Sequence, residues 1–425
     1  FYWNTKVTAL DARKGRIGGV TGTNLRTGDE IVFEGQAVVL ATGGYESNLE
    51  MVRRYWPKHL GKVPERVVLG SGTNSQGSGM NLARSAGGAL RNMDHQWIYP
   101  RGIPDPMHLS EGRGLYTMVA ASIYLNRRGK RFMDEMSATT DAVRAMMAQP
   151  GGTYWMLFDE GGANSVFAAG IDWQDKQKVR REIVNNEAVV KTAATLEETA
   201  RKAGLPPAEV RASVERWNRA VDSGLDEQFK KKISIALPDG RSFTLSKIEK
   251  GPFHLMQIYP LSRKSMGGIH VDLNSRVLNR EGKPIAGLYA VGETTGEGGL
   301  NGRAALEGTF LGPSIVQGHM AAAHLASTIR LASRQSAPIA ATKPAPPTPA
   351  RAVSTDCRQC HQMDRLLTAK RPGYWHFERL HAVVASRGYE CKSCHAEMSP
   401  YRYNAHRIDR VAQIGVCTTC HLLTE

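Results

Sequence analysis

Three copies of one five-residue pattern close the chain: Cys357, Cys360 and His361; Cys391, Cys394 and His395; Cys417, Cys420 and His421. Two thiols at this spacing can form thioethers to the vinyl groups of a porphyrin, and the adjoining histidine can then ligate the iron. This is the attachment pattern of c-type haem. The chain has six cysteines, and the three copies use them all. His376, His381 and His406 lie in the same stretch, so each iron could receive a second imidazole, the arithmetic of bis-histidine, electron-transferring haem. Met363 or Met398 could instead supply a sixth ligand and raise that haem's potential. A lone C-x-x-C serves equally as half a zinc site or a redox disulfide. Repetition with a histidine each time favours haem.

The surrounding composition agrees. From Val353 to Glu425 the chain is poor in Leu, Ile, Val and Phe, so porphyrins would have to form the core of a small, mostly irregular or helical multihaem cytochrome c domain. That stretch has ten Lys and Arg against seven Asp and Glu, an excess that haem propionates would reverse. Residues 332–352 turn to Ala, Pro, Ser and Thr and read as a semi-extended linker, able to span about 60 Å when stretched.

The whole chain has 425 residues and a net charge of +15, with room for two or three domains. No long Lys/Arg block or basic helix interleaved with aromatics is present, so the charge does not indicate nucleic acid. It suits a funnel for a small carboxylate substrate or an acidic redox partner. No run of 18 apolar residues occurs, which excludes a membrane span. Because haem is attached to C-x-x-C-H after export, the protein is expected in the periplasm or at the cell surface, its leader removed.

The elements that would hold the chemistry can be read next. Val7 to Gly35 reads as β-hairpin, with turns at Lys14-Gly15, Gly18-Gly19 and Thr27-Gly28. Ala37 to Leu40 is an apolar strand leading to Thr42, Gly43 and Gly44; it suits the inside of a parallel sheet, with a ligand approaching the glycines. Tyr154 to Phe158 reads as a buried strand, and Val210, Val214, Trp217 and Val221 have the spacing of a core-facing helix. Near Gly312, Pro313 and Ser314 a helix should begin, with proline in its first turn.

In order, these pieces resemble the succinate dehydrogenase and fumarate reductase flavoprotein family, from Ala41-Thr42-Gly43-Gly44 almost to Arg330. Asn74-Ser75-Gln76-Gly77-Ser78-Gly79 is similar to its N-x-x-G-D-G turn, and Asn126 to Glu135 to its N-x-x-G-K-R-F-x-N-E hairpin. Leu196 to Phe229 resembles the paired helices of its capping domain. Ser265-Met266-Gly267-Gly268 is similar to T-M-G-G, and Gly287 to Glu293 to G-L-Y-A-A-G-E. The resemblance implies the later part of a Rossmann-like α/β FAD-binding domain at 1–58 and 254–331 and an α+β capping domain at 59–253. The linker at 332–352 and a triheme domain at 353–425 complete the expected order.

For sites, the resemblance implies non-covalent FAD against Thr42, Gly43, Gly44, Asn74, Gly77, Gly79, Met266, Gly267, Gly268 and Gly312 to Ser314, with Glu293 on a ribose hydroxyl. The family's two substrate histidines fall at Tyr99 and Lys264, its proton path near Glu111 and Arg113, and its substrate arginine at Arg303. Read from the residues alone, Tyr99 could be a packing aromatic, Lys264 a solvated charge, and Glu111 with Arg113 a surface pair.

Three departures shape the expectation. No G-x-G-x-x-G occurs, so the FAD pyrophosphate loop lies outside this sequence or on another chain. The acid arginine four residues beyond the hairpin glutamate is replaced by Thr139, the nearest arginine being Arg144. The run after Arg303, ending Gly308-Thr309-Phe310-Leu311-Gly312-Pro313, is closer to 3-ketosteroid dehydrogenases. The expectation is an exported flavocytochrome that acts on a CH–CH bond of a small carboxylate or ketone and exchanges electrons with another cytochrome or a quinol-linked subunit. An inactive flavin fold serving as a scaffold for haems is one alternative, and a ketosteroid dehydrogenase feeding the haems is the other.

Overall fold

The computed structural model describes residues 2–236, 242–303 and 310–329. The chain parts into two units, Phe1–Leu331 and Ala332–Glu425, and all the described residues belong to the first. The linker and every cysteine, histidine and methionine considered for haem lie outside the described residues.

The chain opens with an antiparallel meander, β1 (Thr5–Arg13), β2 (Arg16–Asn24) and β3 (Glu30–Glu34). Lys14-Gly15 and Thr27-Gly28 turn the chain, as the sequence suggests, but Gly18-Gly19 does not: it lies inside β2. A Cβ on Gly19 would come within 2.6 Å of the Phe33 carbonyl oxygen, so the missing side chain lets two strands approach. Then come β4 (Val38–Leu40), helix α1 (Leu49–Arg54) capped by the Asn48 side chain, β5 (Val68–Leu69) and α2 (Ser78–Ser85).

Antiparallel structure fills the middle: β6 (Leu90–Arg91), β7 (Gln96–Pro104), β8 (Gly114–Met118), β9 (Ile123–Leu125), helix α3 (Thr139–Met147) and β10 (Tyr154–Phe158). Short elements follow, α4 (Glu160–Ala163), β11 (Phe167–Ala168), α5 (Lys176–Val179) and β12 (Val190–Ala193), before α6 (Leu196–Lys202) and α7 (Pro207–Ser223). Two small hairpins, β13 (Leu225–Asp226) with β14 (Lys231–Lys232) and β15 (Ser234–Ala236) with β16 (Ser242–Thr244), lead to the long strand β17 (Phe253–Ser265).

β17 is the spine of an eight-stranded sheet ordered β11-β8-β7-β17-β10-β9, with β12 and β5 also paired to it. Its first half lies against β10 and β12 and its second against β7 and β5, so a strand expected in the flavin region runs through a sheet whose other strands all come from residues 59–253. Tyr154, Met156, Phe158, Met256 and Ile258 pack in one core beneath it. Val210, Val214 and Trp217 of α7 are buried against Ile123, Leu125, Leu157 and Leu255, the helical face expected from spacing, while Val221 is only partly covered.

The chain ends its described course with β18 (Gly268–Ile269), β19 (Arg276–Leu278), β20 (Pro284–Ala290) and helix α8 (Leu311–Thr328). β4 and β20 run parallel, Leu288 opposite Val38 and Ala290 opposite Leu40. The apolar run at Ala37 reads as a central strand, but among the described residues β4 is an edge, its Val39 42% exposed. No helix among the described residues is long and apolar enough to cross a membrane.

Candidate flavin site

At the carboxyl ends of β4 and β20 two glycine-bearing loops meet. Thr42 Oγ1 lies 3.0 Å from Thr294 Oγ1, tying the Thr42-Gly43-Gly44 loop to the turn after β20. Gly43 has φ 70° and only Ser75 Oγ near where a Cβ would stand, so its outer side is open. Gly77 N donates to Gly44 O at 3.0 Å, and Gly79 meets the Thr42 side chain so closely that no Cβ fits. Gly267 and Gly268 are held the same way, by the Asn92 and Thr294 carbonyls. Several glycines expected to admit a cofactor therefore also let one loop pack on another. Asn74, in the first of these turns, is exposed.

Beneath Gly44 two carboxylates and a serine hydroxyl gather. Glu46 Oε2, Ser265 Oγ and Glu293 Oε1 all lie within 3 Å of the position a Gly44 Cβ would take. Ser265 N donates to Glu293 Oε1 at 3.1 Å, whereas Glu46 is fully buried and neither of its oxygens has a hydrogen-bond partner of good geometry. Burial, reinforced by the charge of Glu293, holds the Glu46 carboxyl well above the usual carboxylate range. Burial also raises Glu293, against the pull of Lys264. As a pair they retain a proton that two solvated carboxylates would lose.

One turn further on, Glu297 takes a left-handed φ of 54° and is 3% exposed. Ser314 Oγ donates to its Oε2 at 3.0 Å, and burial pushes its carboxyl up to about 7. Gln317 of α8 accepts from Gly292 N at 2.8 Å and from Thr295 Oγ1 at 3.1 Å, fastening the helix to the loop. Glu297, Gly298, Gly299, Leu300, Pro313, Val316 and Gln317 line a cavity of about 380 Å³ there. Among the described residues no side chain caps the amino end of α8, so the positive end of its dipole and its first N–H groups are left for another acceptor. Gly312 has nothing within 4 Å of a built Cβ. An open glycine rim, an uncapped helix start and buried protonated acids fit the ribityl and pyrimidine side of a flavin.

Tyr99 and Lys264 share one aromatic column. Tyr99 stacks on Trp97 at 5.1 Å, Trp97 on Phe310 at 5.3 Å, and Lys264 Nζ lies 3.9 Å from the Phe310 ring centre. The register of β7 and β17 causes this, setting Lys264 opposite Trp97 and Tyr99 opposite Leu261. Tyr116 meets Tyr99 edge-on at 5.2 Å. Glu111 and Arg113 do not pair: exposed Glu111 reaches His108 at 3.3 Å, and Arg113 donates to Ser47 Oγ at 3.1 Å and to the Ser71 carbonyl. Arg144 lies on α3, paired with Asp141. Arg303 donates to Asp94 Oδ2 at 2.8 Å and to His95 Nε2 at 3.1 Å, and lies 3.4 Å from His59 Nδ1.

Sequence reasoning missed Glu46, Glu297, Gln317, Asp94 and Arg101. Arg101 donates to the hydroxyls of Tyr124 and Tyr116 at 3.1 and 3.2 Å and to the Glu135 carbonyl at 3.0 Å. Its signal was legible: one arginine in the otherwise uncharged run Trp97 to Pro104. Burial, only partly offset by Arg101, pushes the Tyr124 hydroxyl up to about 12.

A glycine floor at the ends of parallel strands, closed by a helix start and flanked by an antiparallel cap, defines a flavoprotein fold. The chain belongs to the family described as FAD binding domain, which matches residues 1–311. It is 29% identical to an NADH:acrylate oxidoreductase of Vibrio harveyi over 69% of this chain and 27% of that protein. It is 28% identical to a fumarate reductase (cytochrome) of Shewanella frigidimarina over 75% of this chain and 50% of that one. The chain thus spans half or less of either relative. The 3-ketosteroid Δ1-dehydrogenase structure from Sterolibacterium denitrificans shares the fold, with a TM-score of 0.61 and 24% identity over 77% of this chain and 60% of that one.

Proposed function

We propose that the chain is the flavin and haem portion of an exported oxidoreductase. It moves a hydride to or from an activated CH–CH bond of a small carboxylate or ketone and passes the electrons singly through three c-type haems. One observation carries the reading: a single chain joins an FAD-binding match at 1–311 to three C-x-x-C-H patterns at Cys357, Cys391 and Cys417. FAD, when bound, supplies the two-electron chemistry. Thr42 to Gly44, Glu293 and the start of α8 at Gly312 to Ser314 hold it, the helix dipole favouring negative charge on the pyrimidine. Asn74, Gly77, Gly79 and Met266 to Gly268 shape the floor. Arg303 and Lys264 hold the oxygen of the activating group, and Tyr99, Glu111 and Arg113 serve the proton.

In the tail, His361, His395 and His421 are proximal iron ligands and His376, His381 and His406 distal ones, with thioethers at the six cysteines. A redox partner outside the membrane, another cytochrome or a quinol-linked subunit, exchanges the electrons, and the pyrophosphate loop lies outside this sequence. A saturated ring ketone is the second reading, favoured by the aromatic column of Tyr99, Trp97 and Phe310 with Tyr116 edge-on to it. Denaturing the purified holoprotein tests both cofactors at once. One released flavin for three covalent haems is expected, and holoprotein without flavin overturns the proposal. Turnover of a saturated 3-ketosteroid, with none of fumarate, acrylate or urocanate, would select the second reading.

A further inference from the structure

The Arg303 guanidinium is held by three groups from two turns. Asp94 and His95 come from the turn between β6 and β7, and His59 from the 3₁₀ turn Lys58–Leu60. An arginine can only donate, so His95 Nε2 and His59 Nδ1 must both be acceptors. Each imidazole is therefore neutral, with its proton on the other nitrogen. That other nitrogen of His95, Nδ1, is buried and has no hydrogen-bond partner. The turn itself is anchored, because His95 N donates to Asn92 O and the His95 carbonyl accepts from Met266 N, both at 2.8 Å.

We propose that Asp94, His95 and His59 form a clamp that positions Arg303, engaging three of its five N–H donors and leaving two for an anionic substrate group. This rests on the reading of Arg303 as the receptor for a substrate carboxylate. None of the three clamp groups need touch substrate; they are positioning residues. Burial and the Arg303 charge keep both histidines below their ordinary value, His59 also facing Arg144 of α3, while Asp94 is the opposing carboxylate at each. Acidification turns both acceptors into cations against the guanidinium and opens the clamp.

The test uses ¹⁵N-labelled full chain with malonate as the probe. Long-range ¹H–¹⁵N spectra without malonate should show His95 with its proton on Nδ1 and His59 with its proton on Nε2. Asp94→Asn should bind malonate about tenfold more weakly, and Asp94→Glu should recover most of that loss. A proton on His95 Nε2, or malonate binding by Asp94→Asn as tight as in the unaltered chain, overturns the clamp. If Arg303→Lys binds malonate unchanged, or if the unaltered chain binds none, the receptor reading fails instead, and the tautomers alone decide whether the clamp exists.

Discussion

Two buried groups of charges, one in the capping region and one beside the glycine floor, are built on opposite terms. In the first, Arg131 donates to both oxygens of Glu135 at 2.8 Å and to Asp226 at 2.6 Å, with Lys231 3.0 Å from Glu135 and the Trp217 and Phe229 rings each 4.9 Å from the guanidinium. Every charge there has a partner, and the Arg131 side chain is 2% exposed. In the second, Glu46 lies in the loop after β4 and Glu293 and Glu297 in the turn after β20, none of them makes an ion pair among the described residues, and their carboxyls are held above the ordinary range. Compensated charge fixes the segment around Arg131 and Glu135 against the β13–β14 hairpin that follows α7. Uncompensated acids hold protons, which is a property of sites rather than of scaffolds.

Removing one partner should distinguish the two groups most sharply in the cap. Arg131→Ala leaves Asp226 buried without its ion-pair partner and Glu135 with Lys231 alone, and should cost about 3–5 kcal/mol, read by chemical denaturation. A loss near zero would mean that the cluster is solvated and the contrast false. A smaller effect is expected at the floor. Gly44→Ala forces a methyl against Glu46, Ser265 and Glu293, at a cost of about 1–3 kcal/mol, with loss of bound flavin. Retention of full flavin content with normal stability would show that these carboxylates give way.

The smallest effect is a pH dependence. Glu297 is raised from an ordinary 4.5 to about 7, so the folded state binds its proton more tightly than the unfolded chain. That contribution is complete below about 4.5 and is lost as pH rises through 7. Glu297→Gln should flatten the decline in melting temperature across this interval without changing it at pH 4. An unaltered decline would place the titrating group elsewhere.

The elements with a strong local pattern were legible in the sequence: the helical face of Val210, Val214 and Trp217, the strand at Tyr154, and the turns at Lys14-Gly15 and Arg128-Gly129. Gly18-Gly19 misled because a glycine pair signals a turn and a close strand contact alike. The length of β17 was hidden, since its burial comes from partners between 60 residues (Ala193 with Phe253) and 193 residues (Val68 with Leu261) away. Arg303 was found by resemblance, but Asp94, His95 and His59 were not, because a clamp from two turns and an arginine over two hundred residues distant has no sequence period. Glu46 likewise looked like an ordinary polar residue after Gly44, and only its complete burial marks it.

The coupling of flavin to haem is the central claim, and reduced holoprotein tests it directly. Mixed anaerobically with acrylate, fumarate or urocanate, or with a dienone for the ketone reading, the reduced c-type α-band should decay fully in at least one case and fail to decay in Arg303→Ala. Reduced haems indifferent to every acceptor, or no c-type band in the purified protein, would contradict the account.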